Sequence, residues 1–196
     1  MNKIKEILIG SNNKGKIREI SNLLPKKIKK VSPLDLNIPS PPENGKTYIE
    51  NSEIKANFFS ERSKMITISD DSGLEISCLN GMPGIHSSRW ADEHGGFENA
   101  MLEILKQVNK KEKDNKAKFI CALTIVWPDG KKISEQGIIE GSITKKKGNN
   151  GFGYDPIFIP NGFSMTFGEM EHKDKILIDH RYIAYKKLEK KIKDYF

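Results

Sequence analysis

The chain has 196 residues, of which 36% are hydrophobic and 30% charged, enough for one globular domain to bury a core without staples. Its longest apolar runs, such as Ile120–Trp127, are far too short to cross a bilayer as a helix, and no membrane partner is expected. The net charge of +7 rests on lysine, with arginine confined to Arg18, Arg62, Arg89 and Arg181; such a surplus reads as solvated surface, so no stable nucleic-acid partner is expected. The first residues lack a signal-peptide core, which makes a cytoplasmic location the expectation. Cys78 and Cys121 lie in apolar, strand-like context without metal spacing and read as buried free thiols.

In chain order, Lys5–Ile9 is a short apolar strand that runs into the turn Gly10-Ser11-Asn12-Asn13-Lys14-Gly15. A helix follows from Lys16 to Leu24, with Ile17, Ile20, Leu23 and Leu24 on one face and Pro25 as its stop. A proline-rich loop spans Ser32 to Lys46. Thr47 then has the character of an N-cap, with Glu50 completing a capping box, for a helix that runs to about Ser63 with Ile54, Phe58 and Phe59 inward. Met65–Ser69 is a strand that Asp70-Asp71-Ser72-Gly73 should stop, and Leu74–Leu79 resumes as a strand. Phe97–Val108 is amphipathic and helical, and Lys110–Lys118 is a solvated connector. Phe119–Trp127 and Lys131–Ile143 form a hairpin across Pro128-Asp129-Gly130. A Gly/Asn loop, Gly148–Gly153, leads to a strand at Pro156–Ile159, and the last helix covers His180–Tyr195. Crossovers of the parallel type together with a hairpin predict an α/β fold around a mixed sheet, one domain over residues 1–196.

Four segments carry chemistry. The strand–turn–helix at residues 5–17 aims backbone N–H groups and a lysine at one place, which suits phosphate. It also matches G-x-x-x-x-G-K-[ST] except that Ile17 replaces the hydroxyl that would ligate Mg²⁺, which weakens a P-loop reading. Asp70 and Asp71 at a strand end are costly to place together unless a cation or hydrogen bonds offset their repulsion, and a hard divalent ion such as Mg²⁺ accepts that pair. The alternative is an exposed turn with two solvated aspartates. In Gly151-Phe152-Gly153-Tyr154-Asp155-Pro156 a base could stack on Phe152 beside the Asp155 carboxylate; equally, the segment could be a turn whose aromatics pack. Lys175 with His180-Arg181 at a helix start suits an anionic or carbonyl-bearing ligand. His86, His94 and His172 have no partners at ligand spacing.

Taken together, these segments resemble the inosine triphosphate pyrophosphatase family, the Ham1-like non-standard purine nucleoside triphosphate pyrophosphatases. The resemblance rests on Ser11-Asn12-Asn13-Lys14-Gly15-Lys16, Thr47–Asn51 through Lys55-Ala56, and Asp70-Asp71-Ser72-Gly73-Leu74. It continues with Gly81-Met82-Pro83-Gly84-Ile85, Ser88-Arg89, Phe152-Gly153-Tyr154-Asp155-Pro156 and His180-Arg181. It implies a two-lobed fold around a long mixed sheet, a homodimer, and Mg²⁺-dependent hydrolysis of ITP, XTP and their deoxy forms to the monophosphate and pyrophosphate. Carried over by position, Ser11, Asn12, Asn13, Lys14, Gly15 and Lys16 would hold the phosphates, and Glu43 and Asp71 the metal. Asp71 would accept the proton, with Asp70 and Lys55 beside it. Ser72, Phe152, Gly153, Tyr154, Asp155, Lys175, His180 and Arg181 would contact the substrate, the last two donating to a 6-oxo group.

Two positions depart from the family pattern. Asp179 replaces a serine, which either adds negative charge beside the base or holds Arg181 by a charge-assisted bond. Ser52 replaces an alanine. A P-loop phosphotransferase and a basic nucleic-acid-binding protein remain as rival readings.

Overall fold

Four apolar segments and two more polar ones extend into β1 (Glu6–Ile9), β2 (Lys29–Val31), β3 (Thr67–Ile76), β4 (Lys116–Val126), β5 (Lys132–Ile143) and β6 (Phe158–Pro160). In this computed structural model, which describes residues 3–110 and 114–196, they form one sheet in the order β2-β1-β3-β4-β5-β6. β1 runs parallel to β2 and β3, whereas β5 and β6 are antiparallel, so the sheet is mixed as the sequence predicts. The β4–β5 hairpin closes through Trp127 N–H to Lys131 O (2.8 Å) and Gly130 N–H to Trp127 O (2.9 Å).

The helices are α1 (Lys14–Leu23), α2 (Tyr48–Ser63), α3 (Ser87–Glu93), α4 (Phe97–Asn109), α5 (His172–Lys175) and α6 (His180–Ile192). Among the described residues no helix is long and apolar enough to cross a membrane. Thr47 caps α2 by accepting the Glu50 N–H at 3.1 Å. The Glu50 carboxylate reaches back one residue further than a capping box requires, to the Lys46 N–H at 2.6 Å.

Several expectations need correction. β3 does not stop at Asp70-Asp71 but runs through them to Ile76, because it lies between β1 and β4 and its carboxylates find cations. The strand expected to reach Leu79 gives way to a 3-10 turn over Ser77–Leu79. The inward face of α2 is Asn51, Ser52, Lys55, Ala56, Phe59 and Ser60, with Ile54 and Phe58 only half-buried: the helix turns a polar stripe, not its most apolar one, toward the sheet. The connector expected over Lys110–Lys118 is strand from Lys116 onward, and residues 111–113 lie outside the described part. The last helix ends at Ile192 and tightens into a 3-10 turn. Both thiols are free, but Cys78 is only half-buried.

The chain divides into two compact units, the first made of Met1–Asp71, Cys121–Gly137 and Arg181–Phe196, the second of Ser72–Ile120 and Ile138–His180. Each has its own core. In the first, Ile7, Ile9, Ile68, Leu123 and Ile125 from the sheet pack with Ile20 of α1 and with Ala184, Leu188 and Ile192 of α6, and Ile17 packs against the same cluster. In the second, Leu74, Ile76 and Phe119 pack with Ala100, Met101 and Ile104 of α4 and with Phe158 and Phe167.

Gly73 is where the second unit's backbone is tightest. A Cβ there would lie 2.1 Å from the Gly84 carbonyl oxygen, which is backbone and has little room to yield. That oxygen also accepts the Ser87 hydroxyl at 2.7 Å, and Ser87 Oγ accepts the Leu74 N–H at 2.9 Å. Gly73→Ala should therefore cost about 2 kcal/mol and lower Tm by about 6 °C; a melting curve unchanged from wild type would show that this approach is not tight in solution.

Candidate active site

The first constellation grows from the end of β1. Gly10 pairs its N–H with Ile68 O at 2.8 Å, and a Cβ there would meet Ser69 Oγ at 2.1 Å, so only glycine lets the chain leave the sheet this close to β3. Ser11 Oγ accepts the Asn13 N–H (3.2 Å), and Asn13 Oδ1 accepts the Lys16 N–H (3.1 Å) as the N-cap of α1. Asn12 is tied to the proline-rich loop through Ser40 Oγ at 2.9 Å. Lys14 and Gly15 occupy the first turn of α1, with Lys14 exposed.

Because successive strand residues face opposite ways, Asp70 and Asp71 enter different surroundings. Asp70, wholly buried, accepts from Arg181 Nη2 at 2.9 Å and lies 3.3 Å from the Lys16 ammonium through the same oxygen, Oδ2. Arg181 is 1% exposed, and its other terminal nitrogen, Nη1, pairs with Glu19 of α1, itself buried. Burial alone would raise the Asp70 carboxyl, but the charges of Lys16 and Arg181 outweigh it and hold it well below the usual carboxylate range.

Asp71 meets a different set. Its Oδ2 accepts from Asn51 Nδ2 at 3.1 Å, while the Lys55 ammonium lies 3.6 Å from Oδ1 and 2.9 Å from Glu43 Oε2. Asn51 Oδ1 in turn accepts the Gly45 N–H at 2.8 Å, which fixes the loop carrying Glu43. Here burial wins: with Glu43 adding repulsion, the Asp71 carboxyl is raised above its ordinary value despite Lys55, Lys16 and the Asn51 bond. Lys16 moves upward as well, its burial opposing and the Asp70 and Asp71 charges prevailing. Two neighbouring carboxylates are thereby set apart, one locked as an anion and one readier to take a proton.

The second unit assembles the other segments. Gly151 sits at φ 75°, with no room for a Cβ beside Asp155 Oδ2. That buried oxygen accepts both the Phe152 N–H (2.8 Å) and the Lys175 ammonium (2.7 Å). Lys175 is 2% exposed, with its ammonium 5.1 Å from the Phe152 ring centre and 5.4 Å from that of Phe167. Phe167 stacks near Phe119, and Phe119 lies face to face with the His180 ring at 4.8 Å and 11°. Phe152 is half-buried; Tyr154 is buried, with its ring edge-on to Phe97 and its hydroxyl donating to Ser87 O at 2.9 Å, and burial pushes that phenol upward. Gly153 takes φ 64°, Ser72 is half-buried in β3, and Asp179 is fully buried.

Ser11–Lys16, Glu43, Lys55, Asp70, Asp71 and Arg181 thus belong to the first unit, and Ser72, Phe152–Asp155, Lys175 and His180 to the second. Two residues of the first cluster had been given no role from the sequence. Asn51 lay inside a quoted motif without a function attached. Glu19 follows Lys16 by three positions on the inward face of α1 shared by Ile20, a carboxylate in an apolar stripe that signals a buried partner.

The sequence profile of the Ham1 family matches residues 7–191. The dITP/XTP pyrophosphatase of Zymomonas mobilis is 40% identical over 186 residues, covering 93% of this chain and 89% of its own. That of Oceanobacillus iheyensis is 40% identical over 192 residues, covering 95% and 98%. A solved HAM1 protein from Coxiella burnetii superposes with a TM-score of 0.87 at 31% identity, covering 97% of this chain and all of the other. With its sheet order, its charged cluster on β3 and a match that runs nearly end to end, the chain belongs to the Ham1 family.

Proposed function

We propose that this chain hydrolyses non-standard purine nucleoside triphosphates, dITP and XTP foremost, to the monophosphate and pyrophosphate, as one pyrophosphatase domain. Relatives named dITP/XTP pyrophosphatase at 40% identity support the reaction, and the observation that carries its assignment to particular residues is the split environment of Asp70 and Asp71. The homodimer and the cytoplasmic location that the sequence leads one to expect complete the reading.

Magnesium fits the residues present. Among the described residues no three His, Cys, Asp or Glu side chains gather into a cage for a metal. Glu43 and Asp71, however, converge on one cationic group, the Lys55 ammonium, as an all-oxygen pair. Mg²⁺ favours such a donor set, one or two carboxylates with water and substrate phosphate filling the remainder. The first cluster sets Lys16, Lys55 and Arg181 against Glu19, Glu43, Asp70 and Asp71, an excess of one negative charge before a polyanionic substrate arrives. When bound, Mg²⁺ supplies the neutralisation that this excess and the triphosphate require.

The chain's own groups would do the rest. Asp71, with its carboxyl raised, takes a proton from the attacking water as the water oxygen bonds to the α-phosphorus. The bond from that phosphorus to the α–β bridging oxygen breaks, and pyrophosphate departs with the electron pair. Lys16 and Lys55 stabilise the charge that grows on it. The N–H groups of the Ser11–Lys16 turn and the N-terminus of α1 hold phosphate oxygens. In the second unit, Phe152 would stack on the base, and His180 would donate to a 6-oxo group, leaving that donor unmatched opposite the amino group of adenine.

In a nucleotide panel with product analysis, dITP and XTP should release pyrophosphate at least about a hundredfold faster than ATP; orthophosphate as the product, or equal rates across bases, would overturn the reading. Asp71→Asn should lower kcat by about a thousandfold while the circular dichroism spectrum stays that of wild type, and near-normal turnover in that folded variant would remove Asp71 from the mechanism.

A further inference from the structure

We infer that Arg181 and Glu19 are positioning residues for the phosphate side of the site, acting through Asp70 and Lys16 rather than by touching the base. The inference rests on the pyrophosphatase reading above and changes the role that the sequence resemblance assigns to Arg181.

The contacts run in one direction. Both terminal nitrogens of the Arg181 fork are engaged by carboxylates of its own unit, Nη1 by Glu19 and Nη2 by Asp70, and the side chain is 1% exposed. A planar fork can address two carboxylates at fixed angles, which lysine cannot do. Glu19 follows Lys16 by three residues on the buried face of α1, so it anchors the helix that presents Lys16. Asp70 Oδ2 is shared between Arg181 and Lys16, at 2.9 and 3.3 Å. Because the guanidinium carries part of the hold on Asp70, that carboxylate does not bind Lys16 alone, and the ammonium keeps donors for a phosphate. The chain Glu19–Arg181–Asp70–Lys16 thus ties α1, α6 and β3 together behind the phosphate loop.

Inorganic tripolyphosphate, which has no base, separates this role from base contact when titrated calorimetrically with Mg²⁺ present. Glu19→Gln removes a negative charge near the anion, so electrostatics alone would tighten binding. Positioning predicts the opposite, about a tenfold weaker Kd in the folded variant, because loss of alignment at a charged site costs more than one screened charge returns. Arg181→Lys keeps the charge and loses the fork, and should weaken tripolyphosphate by a similar factor. In both variants kcat should fall by the same factor on dITP and on ATP, leaving their ratio at the wild-type value.

Unchanged or tighter tripolyphosphate binding in Glu19→Gln would overturn the inference. So would a collapsed dITP-to-ATP ratio with tripolyphosphate binding intact, which is the signature of a base contact. Loss of the fold in both variants would leave these residues with a purely structural role, and failure of the wild type to bind tripolyphosphate would remove the phosphate site; either result overturns it. If the wild type binds tripolyphosphate but releases no pyrophosphate from any nucleotide, the pyrophosphatase reading falls and this inference stands on the binding data.

Discussion

The contact on which the first unit most depends is the one between the Arg181 guanidinium and the Asp70 carboxylate, both removed from water. Removing one partner from such a pair typically costs about 3–5 kcal/mol, because it strands the other charge in the interior. Around that contact the remaining charges fall into place: Glu19 takes the second arm of the fork, and Lys16 shares the carboxylate oxygen. β3 can therefore carry two adjacent aspartates through the middle of a sheet without breaking. The linkage has a sign. Asp70 is held below its ordinary range, so the stability that it contributes is complete at neutral pH and is lost as pH falls through its lowered pKa.

The same strand geometry divides the labour of the two carboxylates. Asp70 faces a fork and an ammonium and stays ionised, while Asp71 faces an amide, an ammonium and a second carboxylate and is raised. A one-residue shift of register would exchange those surroundings. The second unit uses a comparable device on a smaller scale: one buried oxygen of Asp155 holds the Phe152 backbone and the Lys175 ammonium, which fixes the aromatic ring without the ring itself making a directional bond. Each unit thus fixes its chemical groups with a buried carboxylate rather than with apolar packing alone.

Much of the fold was legible because the sequence states it locally. Thr47, Asn13, Pro25 and the turn at Gly130 mark element ends by chemistry that acts within a few residues. What was not legible depended on distant partners. Asp70-Asp71 reads as a strand stop until Lys16, Lys55 and Arg181 arrive from other elements, and the polar inner face of α2 has no explanation without Asp71. Of the site, the phosphate turn and the aspartates stood out from residue type and order. The directions in which the side chains point did not: Tyr154 turns its hydroxyl to a backbone carbonyl and Arg181 turns to Glu19, a residue that no short motif flags.

Site-resolved titration tests the division between the two aspartates most directly. With the carboxyl carbons followed by nuclear magnetic resonance in the metal-free protein, Asp70 should remain ionised well below the ordinary carboxylate range while Asp71 takes up its proton above that range. If the two titrate together near the ordinary aspartate value, the split environment that the account assigns to β3 is contradicted.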